Sequence, residues 1–415
     1  MKVLVIGRGG REHAVVQKLA RDGVAEIYAA PGNVGMAAAN LVPINETEVE
    51  ALADFAAANQ IGLTIVGPES ALVAGVVDEF QKRGLNIFGP TAAAAQLEGS
   101  KAFAKQLMAK HGIPTAAYAE FTDADQAIAY VRQHGLPFVI KADGLAAGKG
   151  VVIPTTLAEA ESTISNMLSG AAFGDSGRRI VIEDFLDGEE FSLMSFVAGD
   201  KFVAMPVARD YKRAFDGDQG LNTGGMGAHS PNPLITDADT AEAIATVVEP
   251  TVKALITEGI PFTGILYAGL IKTDDGVKVI EFNARFGDPE TEVVLPRLET
   301  PLVDVVNSLV AGSQPAVAWS NEPAVGVVLA TKGYPGEFEK GGVITGLEML
   351  DGVDVYHMGT GKNENGDLVT NGGRVLFIAA KGETLEAARA KAYIELDKLE
   401  APTLFYRTDI AAPRY

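Results

Sequence analysis

The chain of 415 residues has no cysteine and a single tryptophan. Without a thiol there is no disulfide, no thiolate nucleophile, no iron–sulfur cluster and no cysteine-built zinc site. Positive charge is scarce: 34 Lys and Arg face 54 Asp and Glu, a formal net charge of −20. A chain so acidic repels nucleic acid and anionic membranes, so neither is expected as a partner. An anionic substrate would need a local basic site. No apolar run approaches the ~18 residues of a membrane helix. The opening MKVLVIGRGG is too short and too interrupted by Gly and Arg for a signal peptide. A cytoplasmic protein is expected. Internal repeats, low-complexity segments and long linkers are missing too.

What is present is enough for two to four domains at roughly 150 residues each. Residues 1–100 alternate apolar runs (VLVIG, EIYAA, LTIVG, NIFG) with amphipathic stretches. Continuous apolar strands alternating with helices predict a parallel, doubly wound sheet. After Gly99 the pattern changes. SKAFAKQLMAKHG predicts a helix with Ser100 as its N-cap, and residues 157–168 predict another. The strands FVAMPVA, GILYAGLIKT and VKVIEFNA surround a predicted long helix over Asp237–Glu258, and a DDG turn suggests antiparallel pairing. The last ninety or so residues read as short strands with Gly-rich turns, then a helix near Thr384–Leu399.

Several segments carry candidate chemistry. GRGGREH (Gly7–His13) leaves a strand and opens a helix. Glycines let a ligand approach the backbone, and a helix N-terminus offers free N–H groups to an anion, with Arg11 adding charge. The spacing is not that of a dinucleotide fingerprint, so a monophosphate suits it better; a plain tight turn needs the same glycines. APGNVG (Ala30–Gly35) and GPES (Gly67–Ser70) also follow strands, where open α/β sheets bind ligands. Asn33 and Glu69 could hydrogen-bond sugar hydroxyls, or the loops could be ordinary turns.

ADGLAAGKGV (Ala142–Val151) places Lys149 among Gly144, Gly148 and Gly150, after a strand bearing Lys141. Such a loop can fold over nucleotide phosphates, although it lacks P-loop spacing and could be a flexible hairpin. In IVIEDFLDGEEFSL (Ile180–Leu193), a strand running into acids could meet an adenine edge, with Glu190 on the ribose. ARDYKRAFDGDQGLNTGGMGA (Ala208–Ala228) is a long mixed-charge segment, usually functional or disordered. In EFNARFGDPETE (Glu281–Glu292), Glu281 and Asn283 are two apart on a strand and share a face. Their oxygens suit Mg²⁺. Arg285 continues that face if the strand persists, where it could hold a carboxylate or a transferring phosphoryl group.

In this order, these motifs together with QLEGSK resemble the glycinamide ribonucleotide synthetases of the ATP-grasp superfamily, over essentially the whole chain. The resemblance implies an α/β protein, α+β in its central part. A Rossmann-like N-terminal domain (1–100) would precede an ATP-grasp body (101–320) with a small lid (about 118–192), then a β-rich C-terminal domain (321–415). It implies that Lys101 and Lys141 contact ATP phosphates and that Gly144, Gly148, Lys149 and Gly150 close over them. Glu183, Asp184, Phe185 and Leu186 would form the adenine hinge, with Glu190 on the ribose. Glu281 and Asn283 would hold Mg²⁺ or Mn²⁺. The phosphoribosylamine would meet Gly9, Gly10, Arg11 and Glu12, with Asn33, Gly35 and Glu69 nearby. Asp210, Lys212, Arg213, Asp216 and Arg285 would serve glycine and the reacting centre, with Arg285, Lys212 and Asp210 the catalytic candidates. Glu292 departs from the family pattern, where Gln is frequent.

The implied reaction joins glycine to 5-phosphoribosylamine with ATP, through glycyl phosphate. No partner beyond these small molecules is expected, and the chain would be a monomer or weak homodimer. Another ATP-grasp carboxylate–amine ligase, or a non-catalytic nucleotide-binding module, are the alternative readings.

Overall fold

The computed structural model describes residues 1–144, 150–170 and 178–413. Its first unit is a five-stranded parallel sheet built from β1 (Lys2–Gly7), β2 (Glu26–Pro31), β3 (Asn40–Leu41), β4 (Leu63–Val66) and β5 (Ile87–Phe88), in the order β3-β2-β1-β4-β5. Alternate residues of β1 feed opposite layers: Leu4 and Ile6 join one core, Val3 and Val5 another. That period of two explains why the strand is apolar throughout. Helices α1 (Gly10–Arg21), α2 (Val49–Ala58), α3 (Glu69–Val73), α4 (Val76–Lys82) and α5 (Ala92–Gly99) belong to this unit, and α6 (Lys101–His111) follows it. Ser100 caps α6, its side chain accepting from the Phe103 N–H, as the sequence predicts.

A separate antiparallel sheet, in the order β6-β9-β7-β8, contains β6 (Tyr118–Phe121), β7 (Phe138–Ala142), β8 (Val151–Val152) and β9 (Ile180–Asp184). With α7 (Ala124–His134) and α8 (Leu157–Leu168) it closes its own small core. The central sheet begins with β10 (Glu189–Ala198) and β11 (Lys201–Ala204). Residues 189–192, read from sequence as part of the lid, pair here with β16 of the central sheet. Next come β12 (Arg209–Asp210), the hairpin of β13 (Arg213–Phe215) with β14 (Gln219–Asn222), and β15 (Gly227–Ser230). The antiparallel pair β16 (Thr263–Thr273) and β17 (Gly276–Asn283) completes the central sheet in the order β11-β10-β16-β17. The DDG turn between them ends on Gly276 at φ 103°, a left-handed position that favours glycine.

The single long helix expected over Asp237–Glu258 is instead α9 (Asp237–Ala243) and α10 (Glu249–Thr257), joined by a π-helical turn at Ile244–Val248. Pro250 lacks the N–H an unbroken helix would use, and a wider turn accommodates it. After α11 (Thr291–Val294) and α12 (Leu302–Val310) come the last strands: β18 (Ala324–Thr331), β19 (Asp354–His357), the hairpin of β20 (Thr360–Lys362) with β21 (Leu368–Thr370), and β22 (Arg374–Lys381). Helix α13 (Leu385–Leu396) and β23 (Leu404–Phe405) end the chain's regular structure. The C-terminal sheet runs β12-β15-β18-β22-β19, with β23 on β18. It thus takes two strands from the central part of the sequence. No helix among the described residues is long and apolar enough to cross a membrane.

Candidate active site

The end of β17 organises the site. Glu281 and Asn283 share one face and are both half-buried. They stand opposite Gly269 and Tyr267 of β16. A Cβ on Gly269 would lie 3.2 Å from Glu281 Cγ, so the glycine makes room for the carboxylate. Among the described residues no group of three or more His, Cys, Asp or Glu could hold a metal ion. One carboxylate and one amide are hard donors of the kind that hold a divalent cation jointly with phosphate oxygens and water.

Three lysines, two from α6 and one from β7, adjoin this face. Lys141 of β7 donates to the Ile280 carbonyl at 2.9 Å and pairs with Glu183 at 2.9 Å. Lys105 of α6 pairs with the other Glu183 oxygen at 3.0 Å and donates to Thr115 at 2.8 Å. Lys101 donates to the Gly144 carbonyl at 3.1 Å. Burial lowers the pKa of Lys101, opposed mainly by Glu281. Burial likewise brings Lys105 down to about 8, against the pull of Glu183. In a chain of net charge −20, these ammonium groups concentrate positive charge where an anion could sit. Lys105 was missed in the sequence, although it lies one helical turn from Lys101 on α6.

A line of alternating charge leads away from β17. Arg285 lies beyond the last residue of the strand. It pairs with Glu98 at 2.8 Å and stands 3.4 Å from Glu69, and it donates to Asn283 Oδ1 at 3.2 Å. Arg11 lies 3.9 Å from Glu69 and 2.5 Å from Glu12. Burial works against the Glu69 carboxylate, but Arg285 and Arg11 outweigh it and hold its pKa near 2.

A second polar group faces the same strands. Glu290 Oε1 accepts from Tyr267 and Ser192, each at 2.7 Å. Burial, reinforced by Glu290, pushes the Asp210 carboxyl well above its ordinary range, and its Oδ1 has no hydrogen-bond partner. Lys212 pairs with Glu190 at 2.6 Å. Burial would lower Lys212, but Glu190, Asp210 and Glu281 together raise it. Lysines, a hard-oxygen pair, an arginine and buried acids thus gather near the end of one strand.

Family models match in this same order: phosphoribosylglycinamide synthetase N domain at residues 1–98, its ATP-grasp (A) domain at 99–291 and its C domain at 324–413. The chain belongs to the phosphoribosylglycinamide synthetase family. A phosphoribosylamine–glycine ligase of Halalkalibacterium halodurans is 55% identical over 415 residues, covering 99% of this chain and 97% of that protein. One from Listeria monocytogenes is 51% identical, covering 99% of both. The crystal structure of phosphoribosylamine–glycine ligase from Thermotoga maritima superposes with a TM-score of 0.87 at 36% identity, covering 99% of this chain and 100% of that one. A biotin carboxylase from Campylobacter jejuni, at 16% identity and TM-score 0.75, shares the fold.

In this member of the phosphoribosylglycinamide synthetase family, several residues read as ligand contacts are engaged by the protein itself. The Gly9 N–H and the Arg11 guanidinium are both taken by Glu12, each at 2.5 Å. A Cβ on Gly7 or Gly67 would fall 2.6 or 2.0 Å from the Glu12 side chain, and one on Gly10 would fall 2.5 Å from Glu292. These glycines therefore admit internal carboxylates, which engage the Gly9 N–H and Arg11 of the segment read as a phosphate cradle. Asn33 is also committed. Its amide donates to the Arg8 and His357 carbonyls at 2.7 and 2.8 Å and accepts from the Gly35 N–H at 2.9 Å. A Cβ on Gly35 would meet the His357 ring at 2.2 Å. The PGNVG loop thus clasps onto β19.

Asp216 is engaged within the protein as well. Both its oxygens are held by Thr408, at 2.8 and 2.5 Å, which fastens the β13–β14 hairpin to the C-terminal segment. Arg213 donates to the Gly220 carbonyl at 2.9 Å within that hairpin. The Glu183 carboxylate is shared by two lysines. Phe185 is exposed, Leu186 is half-buried, and Asp184 pairs with His134 at 3.0 Å. Gly150 accepts from the Ala142 N–H at 2.8 Å, while Gly148 and Lys149 lie outside the described residues. Arg374 went unnoticed in the sequence. It pairs with Asp288 at 2.8 Å and donates to the Gly224 carbonyl at 2.7 Å, tying the C-terminal sheet to both long motifs.

Proposed function

We infer that this chain ligates glycine to 5-phosphoribosylamine, converting ATP to ADP and phosphate. The observation that carries the reading is the Glu281–Asn283 pair on β17, set beside a slot of buried lysines. Family membership and the full-length relatives named phosphoribosylamine–glycine ligase point the same way.

In this reading Lys101, Lys105 and Lys141 neutralise the triphosphate. The backbone of Glu183–Leu186 borders the adenine, and Glu190 accepts from the ribose. Glu281 and Asn283 hold Mg²⁺ or Mn²⁺, which, when bound, screens the negative charge on the transferring phosphoryl group. The glycine carboxylate oxygen attacks the γ-phosphorus and ADP leaves, giving glycyl phosphate. The amine of phosphoribosylamine then attacks the acyl carbon and phosphate departs with the C–O bond electrons. Arg285 stabilises charge on the oxygens in transit. Lys212 and Asp210 border the reacting carbonyl. Catalysis rests on positioning and charge neutralisation, with no protein nucleophile. The β6–β9 sheet acts as a lid that keeps water from the acyl phosphate. The enzyme is read as a cytoplasmic monomer or weak homodimer.

Mass analysis of the product from ATP, glycine and freshly generated phosphoribosylamine tests this directly. Glycinamide ribonucleotide should form with one phosphate per product, and omitting either glycine or the amine should stop phosphate release. ATP turnover indifferent to the amine would sink the assignment.

A further inference from the structure

Glu98 is the penultimate residue of α5, yet its side chain ends at the segment that follows β17. Its Oε2 accepts from the Ala284 N–H at 2.8 Å, and its Oε1 pairs with Arg285 Nη2 at 2.8 Å. The Glu98 side chain is 7% exposed and that of Arg285 17%, so the pair is poorly screened by water. The same Nη2 donates to Asn283 Oδ1 at 3.2 Å, and Nη1 donates to the Phe286 carbonyl at 3.2 Å. A guanidinium only donates, so the atom it faces on Asn283 is the amide oxygen. That oxygen is also the atom of an amide that a hard cation takes. Glu69 is a weaker second anchor. It lies 3.4 Å from Arg285 Nε, and that nitrogen has no hydrogen-bond partner.

We propose that Glu98 is a positioning residue: it fixes Arg285, and through Arg285 it holds the Asn283 carbonyl in the orientation ligation requires. This rests on the reading of Glu281 and Asn283 as the cation pair. A merely structural Glu98 would only tie α5 to the end of β17 through the Ala284 N–H.

Glu98→Gln separates the two roles. It keeps the shape and an acceptor for Ala284, and removes the charge facing Arg285. Second-shell changes of this kind shift affinity or rate by about 10- to 100-fold. The expected results are a kcat lower by about 30-fold and Mn²⁺–ATP binding weaker by about tenfold in calorimetry. Metal-free ATP should bind as in the wild type. In an Arg285→Ala background, Glu98→Gln should have no further effect on kcat, because residues acting through one another are not additive. An unchanged kcat and Mn²⁺–ATP affinity in the single variant would overturn the proposal. So would a second loss of equal size in the double variant. If Glu98→Gln does not fold, Glu98→Asp is measured by the same criteria; it is one methylene too short to hold Arg285 and the Ala284 N–H as Glu98 does, so kcat and Mn²⁺–ATP affinity should each fall about tenfold. Wild-type enzyme that makes no glycinamide ribonucleotide in the same assay would instead remove the functional reading itself.

Discussion

Glu12 and Glu281 both sit against glycines near the end of a strand, but their carboxylates have different fates. Glu12 is almost fully buried, wedged over Gly7 and Gly67, and it binds Arg11 and the Gly9 N–H. Glu281 is half-buried beside Gly269 and, among the described residues, accepts no hydrogen bond and forms no ion pair. The glycines of the first region let the protein close upon itself. The glycine of the second keeps space in front of an unengaged acid. A polar group already paired inside the fold gains little from a ligand, whereas an open one beside cations can bind one.

The largest effect is expected at the open end of this comparison. Glu281→Ala should lower kcat about a thousandfold, roughly 4 kcal/mol of barrier, with little change in melting temperature. Wild-type turnover at saturating Mg²⁺ would break the contrast. Asn33→Ala tests the closed end. Losing its bonds to Arg8, His357 and Gly35 should destabilise the fold by about 2 kcal/mol in urea unfolding. The KM for phosphoribosylamine should stay within about threefold. A large KM increase at unchanged stability would instead make Asn33 a sugar contact.

The clasp should also respond to acid. His13 Nδ1 accepts from the His357 N–H at 2.9 Å, which requires a neutral ring. Burial, then His357, lowers the His13 pKa from 6.5 to about 3. Stability from this depressed group is present above pH 6.5 and is lost as pH falls through about 3. Unfolding free energy should drop by about 1 kcal/mol per pH unit below 6.5, and His13→Gln should flatten that slope. A slope unchanged by the substitution would free His13 from this role. The smallest effect concerns Glu292, fully buried with both oxygens unpartnered. Burial, then Asp288, pushes its carboxyl well above the ordinary 4.5. Its contribution is full below pH 4.5 and is lost as pH rises through the folded value. Glu292→Gln should therefore stabilise the protein at pH 8 by about 1 kcal/mol in thermal unfolding, since it cannot ionise.

The features legible in the sequence are those set by local periodicity. The apolar runs of β1 and β4, the Ser100 cap and the shared face of Glu281 and Asn283 each depend on residues a few positions apart. The features not legible in the sequence depend on distant partners. Asn33 binds a carbonyl 324 residues away, and Asp216 is held from 192 residues away. Nothing near Asn33 distinguishes a side chain aimed at a sugar from one aimed at His357. Lys105 and Arg374 were overlooked for the converse reason: α6 and β22 read as ordinary elements without their neighbours.

By itself the sequence determined the order of strands and helices, the acidic balance and the chemical kinds of group available, because these follow from side-chain chemistry and a repeat of two or 3.6 residues. Tertiary structure alone decided which of those groups remain open. That choice depends on whether another part of the chain arrives to satisfy each one: Glu12 and Asn33 are met from within, and Glu281 is left facing the lysines.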